Sequence, residues 1–299
     1  MSRHSVIDVG SNTIHLLVGE VDGSEVLPVT GEKVSARLGA GVEKKGKIEP
    51  GRLELAAEAI SLFAKIAALK GVAEPTVLAT SAVRDAENGL ELTERVREIT
   101  GLKMRLISGE EEAALGFRGA VSAVGTSWEG PALVVDLGGG SAQLIVGEAS
   151  SGPLMQVSLP LGSNRTTERF VENDPPRKKE LRALDEHVRE MRPEWGLSQR
   201  VSVVAVGGSA RAMLKITRDT LTVERTVERL RRLALEMSGR PSPVLAREHR
   251  LAPERARVLP AAITALAAIL EHFDRDRLTV ARGGLREGTL LTLAEEKEI

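Results

Sequence analysis

Two stretches 128 residues apart carry nearly the same text, VIDVGSNTIHLLVGE at 6–20 and VVDLGGGSAQLIVGE at 134–148. Setting Asp8 over Asp136 aligns Gly10 with Gly138, Leu16 with Leu144, and Val18-Gly19-Glu20 with Val146-Gly147-Glu148, without a gap. Each copy passes from a β-branched run through Asp-x-Gly and a small polar loop into alternating apolar residues, the pattern of strand, glycine turn and strand. A repeat one domain long restricts the chain to two similar halves that open on the same hairpin. A length of 299 residues suits this, because two domains of about 150 residues each bury a core of their own.

The remainder of each half alternates strands with helices, which predicts a mixed α/β sheet in each. In the first half a polar loop, GAGVEKKGKIEPG, precedes a helix at about 51–70; PTVLATSAV reads as a strand, 90–99 as a helix, KMRLIS as a strand, and EEEAALGFRGAVSAV as a helix. The linker GTSWEGP then sets the expected boundary, with domains at 1–125 and 126–299 and a last helix that could return to the first domain. In the second half, segments 176–192 and 221–237 read as exposed amphipathic helices, the first beginning at Pro175-Pro176. VSVVAVGGSARAM at 201–213 sends a strand into Gly-Gly-Ser and a helix out of it.

Composition removes several classes of function. Apolar residues at 42% and charged residues at 28% argue against disorder and against a fibrous repeat. The absence of cysteine excludes disulfides, thiolate chemistry and Cys-ligated zinc, so any metal is held by oxygen or His. The longest apolar run, LPAAITALAAIL at 259–270, is too short for a bilayer and reads as a buried helix with its proline in the first turn. The amino terminus runs straight into a strand, so a cytoplasmic location and no membrane partner are expected. A net charge of −1 gives no general attraction to nucleic acid, and none is expected as a partner. Residues 214–257 nevertheless hold 11 Lys or Arg against 6 Asp or Glu, either a solvated helical face or a track for a polyanion.

A turn of glycines and small hydroxyls gathers backbone N–H groups and lets a phosphate approach them. GSNT at 10–13 (Gly10, Ser11, Asn12) and GGGS at 138–141 (Gly138, Gly139, Gly140, Ser141) have this composition. Either alone would pass as a tight turn; a duplication that preserves turn chemistry favours anion binding. Asp8 and Asp136 end their strands facing that anion, which suits an intervening Mg²⁺, or Mn²⁺, unless each only caps its own turn. In RLISGEEEAALGF, Ser108 with Glu111 fits a capping box, and Glu110 meets the helix dipole in the first turn. Glu112 is left as a carboxylate able to take a proton from water, the alternative being that all three simply charge the helix amino terminus. Arg84 lies in the first turn of a helix capped by Thr80 or Ser81, where its fork could hold phosphate or pair with Asp85 or a nearby carboxylate. Lys44, Lys45 and Lys47 read as solvated, and His15, level with Gln143, as a packed polar residue.

Two duplicated α/β domains opening on Asp-x-Gly hairpins resemble the actin, Hsp70 and sugar-kinase superfamily. That resemblance implies two ribonuclease-H-like domains with a cleft between them into which both turns point. DVGSNTIHLLV, ATSAVRDAEN, ISGEEEAALGF, VVDLGGGSAQLIVG, SLPLGSNR, AVGGSARAM and GGLREGTLL together resemble, over nearly the whole chain, the exopolyphosphatase and guanosine pentaphosphate phosphohydrolase (Ppx/GppA) family. The likeness is to its short, two-domain actinobacterial members. It implies a catalytic base at Glu112, a phosphate-binding Arg84, a metal-binding Asp136, and anion loops at Gly10 to Asn12, Gly138 to Ser141, and Gly207, Gly208 and Ser209. One position departs: where such enzymes read Gly-Gly-Gly-Ser-x-Glu this chain has Gln143, whose neutral amide in place of a carboxylate weakens a Mg²⁺ site.

The resemblance therefore implies a metal-assisted exopolyphosphatase acting on inorganic polyphosphate. The same chemistry on guanosine pentaphosphate, a non-catalytic polyphosphate or nucleotide sensor, and ATP-dependent transfer are the alternatives. A homodimer is compatible with the resemblance.

Overall fold

The structure is a computed structural model that describes residues 1–125, 130–197, 201–217, 227–275 and 278–296. The chain forms two compact units, Met1–Gly125 joined by Gly283–Ile299, and Thr126–Arg282. Of the expected linker, residues 126–129 lie outside the described residues.

The first unit contains β1 (Ser2–Val9), β2 (Ile14–Asp22), β3 (Glu25–Val34), α1 (Val42–Lys45), α2 (Pro50–Leu69) and β4 (Thr76–Ala79). It continues through α3 (Ser81–Asp85), α4 (Gly89–Thr100), β5 (Met104–Leu106) and α5 (Gly109–Val124). The second unit contains β6 (Ala132–Leu137), β7 (Ala142–Glu148), β8 (Gly152–Leu159), α6 (Ser163–Phe170), α7 (Lys178–Met191) and β9 (Ser202–Val206). It is completed by α8 (Gly207–Thr217), α9 (Val227–Ser238), α10 (Ser242–His249), α11 (Pro253–His272) and β10 (Thr279–Val280), after which α12 (Leu285–Glu296) belongs to the first unit.

The textual repeat is a structural one. The strands succeed one another as β3-β2-β1-β4-β5 in one sheet and β8-β7-β6-β9-β10 in the other. In each, the hairpin is antiparallel and the later strands add in parallel. Even the irregularities correspond: the β2–β3 register slips at Val18/Gly19 and the β7–β8 register at Val146/Gly147, the same position in each copy. A bulge bends its strand and sharpens its twist, so both sheets curl at the same place.

Alternation along β1 and β2 sorts side chains to two faces. Ile7, Val9, Ile14, Leu16 and Val18 pack with Ile60 and Phe63 of α2, while Val6, Leu17 and Val21 pack with Leu115 of α5 and Leu290 and Leu291 of α12. Each such side chain contributes about 1.5–3 kcal/mol when fully buried. In the second unit α11 lies almost wholly within the core, with Leu259, Ile263, Leu266 and Leu270 buried.

Several expectations need correction. PTVLATSAV is strand only over Thr76–Ala79; from Ser81 the chain is helical, because β4 ends where its pairing with β1 ends. The polar loop before α2 holds the short helix α1 between two left-handed glycines, Gly41 and Gly46. The buried helix opens at Pro253, not Pro260, which lies in its interior. Its polar first turns hid the true start. The helix at 176–192 begins at Lys178, two residues past the prolines. Of 221–237, residues 221–226 lie outside the described residues and Val227–Ser238 is helical.

α7 is held at its start by Glu180, which is 7% exposed. Its carboxylate accepts from the N–H of Arg177 at 2.7 Å, the N–H of Glu172 at 3.2 Å and Nδ2 of Asn173 at 2.6 Å. Burial pushes this carboxyl upward, but the donors outweigh it and hold it below the usual carboxylate range. A depressed folded pKa contributes stability above the unfolded value and loses it as pH falls through the folded value. Glu180→Gln is therefore expected to cost about 1–3 kcal/mol at neutral pH. In calorimetry the gap to the unaltered protein should close in acid; a gap unchanged by pH would refute this assignment.

Candidate active site

In the first unit the turn between β1 and β2 is braced from outside. Gly10 N–H donates to the Thr13 carbonyl at 3.3 Å, while the carbonyls of Ser11 and Asn12 accept from Gly39 at 2.8 Å and Arg37 at 3.0 Å. Asp8 stands just before the turn, paired in register with His15. Ser11 is buried, and its Oγ lies 3.0 Å from Oγ of Ser81, the first residue of α3. One turn along α3, Arg84 donates from Nη1 to the Ile107 carbonyl at 2.8 Å. The same Nη1 is 3.5 Å from Oε2 of Glu112 on α5, and Nε is 3.7 Å from Asp85. Arg84 thus pairs with Asp85 and also reaches a second carboxylate, Glu112, as its ion-pair reading expects.

At the head of α5, Ser108 Oγ accepts from Glu111 N–H at 3.1 Å, as expected of an N-cap. The box is only half formed, because the Glu111 carboxylate turns away to Arg105. Glu110 is held low by its own backbone N–H and by Ser108, with Arg84 adding to the effect. Glu112 is the glutamate of the three whose carboxylate reaches Arg84 within 4.0 Å.

In the second unit the equivalent turn closes in the same way, Gly138 N–H donating to the Ser141 carbonyl at 3.0 Å. Here the brace is the start of α6. Ser163 N–H donates to the Gly138 carbonyl at 2.9 Å, and Asn164 and Arg165 donate to that of Gly139 at 2.8 and 3.2 Å. Gly162 has to be glycine: a Cβ there would sit 2.3 Å from the carbonyl carbon of Gly140 and 2.4 Å from that of Gly139. SLPLGSNR is therefore the buttress of the turn. Asp136 pairs in register with Gln143 across the hairpin. Gln143 is buried and donates from Nε2 to Ser141 Oγ at 2.8 Å and Ser158 Oγ at 3.1 Å.

β9 delivers the third glycine loop to the same place. Gly207 has φ +92°, and a Cβ on it would lie 2.7 Å from Oδ1 of Asp136. Asp136, Gly138 to Ser141, Gln143 and Gly207 therefore form one neighbourhood, with Gly208 and Ser209 beginning α8 beside it. Arg255 of α11 completes it, donating to Ser209 Oγ at 3.0 Å and packing on Gly208. Burial, together with nearby Arg211, pushes the Arg255 guanidinium below its ordinary range.

Sequence reasoning singled out neither Arg255 nor Ser158. Arg255 belongs to the basic stretch at 214–257, in which Arg231 binds Asp185 and Glu271, Arg240 binds Glu248, and Arg257 donates to the carbonyls of Val171 and Asn173. Residues 218–226 of that stretch lie outside the described residues. Lys44 and Lys45 are exposed, and Lys47 pairs with Glu87 at 3.4 Å. Among the described residues no three His, Asp or Glu side chains converge as a metal cage, and no helix is long and apolar enough to cross a membrane.

Two α/β units of one topology, each presenting a glycine turn beside a strand-ending aspartate, define a duplicated ribonuclease-H-like protein. The chain belongs to the Ppx/GppA phosphatase family, whose model matches residues 17–297. It is 39% identical over 183 residues to a Mycobacterium tuberculosis protein named Exopolyphosphatase 1, a match covering 61% of this chain and 53% of that one. The match thus spans about half the length of that relative. It is 29% identical over 312 residues to a Vibrio campbellii protein named guanosine-5'-triphosphate,3'-diphosphate pyrophosphatase, covering 98% of this chain and 59% of the other. Among solved structures, an exopolyphosphatase-like protein aligns at 26% identity and TM-score 0.89 over 99% of this chain and 100% of that one. The Ppx-GppA enzyme of Aquifex aeolicus aligns at 26% and 0.78 over 97% and 99%.

Proposed function

We propose that the protein is an exopolyphosphatase, releasing terminal orthophosphate from inorganic polyphosphate. The observation that carries this reading is the approach of Glu112 to Arg84, 3.5 Å apart, with the helix that bears Arg84 starting at Ser81 against Ser11 of the first turn. Glu112 would take a proton from water, the water oxygen would bond to the terminal phosphorus, and the bond to the bridging oxygen would break, leaving the shortened chain as the departing anion. Arg84 neutralises charge on the equatorial oxygens. The turn at Gly138 to Ser141, with Gly207 to Ser209 and Arg255, would bind phosphates by N–H groups and a guanidinium.

The donor set fits Mg²⁺, an ion that keeps several waters and needs only one or two carboxylates alongside substrate oxygens. Asp136 would hold it in the space that glycine at 207 leaves open, with Gln143 close by. When bound, the ion supplies charge neutralisation to the phosphate oxygens. Mn²⁺ satisfies the same oxygen ligands.

The second reading, hydrolysis of guanosine pentaphosphate, is favoured by the match to the Vibrio pyrophosphatase along 98% of the chain. Orthophosphate release from polyphosphate and from guanosine pentaphosphate, alone and in competition with Mg²⁺ present, decides between them. No orthophosphate from either substrate above a Glu112→Ala control would overturn both and leave a sensor.

Gln143→Glu is expected to lower the Mg²⁺ concentration for half-maximal binding by about 10-fold, the usual scale for a group adjoining a metal's ligands. Calorimetric titration of metal and substrate analogue reads this without turnover. An unchanged metal affinity would remove position 143 from the metal's surroundings.

A further inference from the structure

The turn at Gly138 to Ser141 uses its carbonyls within the protein and keeps its donors. The Gly138 carbonyl accepts from N–H and Oγ of Ser163 at 2.9 and 3.1 Å, and the Gly139 carbonyl accepts from Asn164 and Arg165. Among the described residues the N–H groups of Gly139, Gly140 and Ser141 have no protein acceptor, although Gly140 and Ser141 are buried. Buried N–H groups are rarely left without an acceptor, so this run calls for one from a ligand, and successive N–H groups of a turn suit an anion. The Ser141 side chain continues the pattern. Its Oγ accepts from Gln143 Nε2 at 2.8 Å, which is its single hydrogen bond among the described residues, while Ser158 Oγ accepts the other amide hydrogen at 3.1 Å. An amide nitrogen donates twice and accepts nothing, so the hydrogen of the Ser141 hydroxyl is left for an acceptor that the protein does not supply.

We propose that Gln143 is a positioning residue: by donating to Ser141 it turns that hydroxyl into a donor for bound phosphate, and so gives this turn an affinity for a phosphate chain that needs no metal ion. The inference rests on the reading that the turn holds phosphate, and it concerns binding alone; hydrolysis keeps its metal. A glutamate at 143 would reverse the polarity of the whole group. A carboxylate only accepts, so Ser141 and Ser158 would each donate to it, and Ser141 would have no hydrogen left for a ligand. The charge changes in the same sense. Asp136 and Gln143, partners across the hairpin, carry one negative charge between them where Asp and Glu would carry two, and the second charge would repel the anion unless a cation intervened. With glutamine the same place offers three N–H groups and one O–H, and hydrogen bonds to a charged acceptor are the strong ones.

The probe is tripolyphosphate with EDTA present, titrated by calorimetry so that no turnover is needed. The unaltered chain should bind it, and Ser141→Ala should weaken binding about 10-fold, the scale of one hydrogen bond to a charged acceptor. Gln143→Glu should weaken it at least as much. In the Gln143→Glu background Ser141→Ala should then change nothing further, because the hydroxyl is already committed to the carboxylate; the added charge is common to both members of that comparison and cancels. Melting curves without ligand establish that each variant is folded at the titration temperature, and if Gln143→Glu is not, Ser141→Ala in the unaltered chain still decides. No loss from Ser141→Ala in the unaltered chain, or an equal loss in both backgrounds, would overturn the inference, the second outcome leaving Gln143 with a structural role only. No binding without metal, in a chain that releases orthophosphate from polyphosphate with Mg²⁺, would overturn it and leave the proposed function standing, whereas neither binding nor release would overturn both.

Discussion

Glu112→Gln is expected to lower orthophosphate release by about 10²–10⁴-fold, the contribution of a positioned general base. Glutamine keeps the length and shape of the side chain and can still accept from Arg84, so the start of α5 should stay intact; what it cannot do is take the proton of the attacking water. Substrate binding should change little, since Arg84 and both turns remain. Steady-state rates and substrate titration on one preparation, with a melting curve beside them, separate these effects. Activity kept within a few-fold, or a melting temperature that falls with the activity, would assign Glu112 to structure and return the base to another group. Arg84→Lys sharpens the test, because lysine keeps the charge but loses the planar fork, and it should weaken phosphate binding more than it disturbs the helix.

The second large effect concerns the packing of α12 on α5. A Cβ on Gly288 would lie 1.9 Å from the Leu115 carbonyl oxygen, and one on Gly119 would lie 2.0 Å from that of Gly284. Both obstacles are backbone, which cannot rotate aside, so the helices would have to part. Gly288→Ala is expected to destabilise the first unit by about 3 kcal/mol or more, toward the upper end of overpacking effects. Since α5 carries Glu112 in its first turn, turnover should fall as well. Gly51→Ala on α2 is the control: a Cβ there meets nothing within 4 Å, and replacing glycine inside a helix should be neutral or gain up to about 1 kcal/mol. Equal melting temperatures for Gly288→Ala and Gly51→Ala would show that the α5–α12 contact yields more easily than its geometry implies.

The hairpins were legible in the sequence because both their signals are local: alternation records which face of a strand is buried, and glycine records the turn. The third strands were not. β3 is an edge strand whose residues are mostly exposed, with Leu27 and Val29 among them, so its text carries no alternation to read. Glu112 was set apart by the capping pattern around Ser108, although the capping box is incomplete, since Arg105 draws the Glu111 carboxylate outward. Arg255 was hidden inside a stretch that reads as a charged surface, because its partner Ser209 lies 46 residues earlier and nothing local marks the pairing.

Read alone, the amino-acid order specified a duplication, the chemistry of its turns and the residue types able to bind an anion, all properties set by neighbours within a few positions. Which groups meet across long separations was decided by packing. Arg84 reaches Glu112 because α3 and α5 start at the ends of adjacent strands β4 and β5. Gln143 binds Ser158 because β7 pairs with β8, and Gly207 lies on Asp136 because β9 runs parallel to β6. Close approach of backbones, as at Gly162 and Gly288, depends on how elements distant in the chain press together, and a one-dimensional pattern holds no record of that distance.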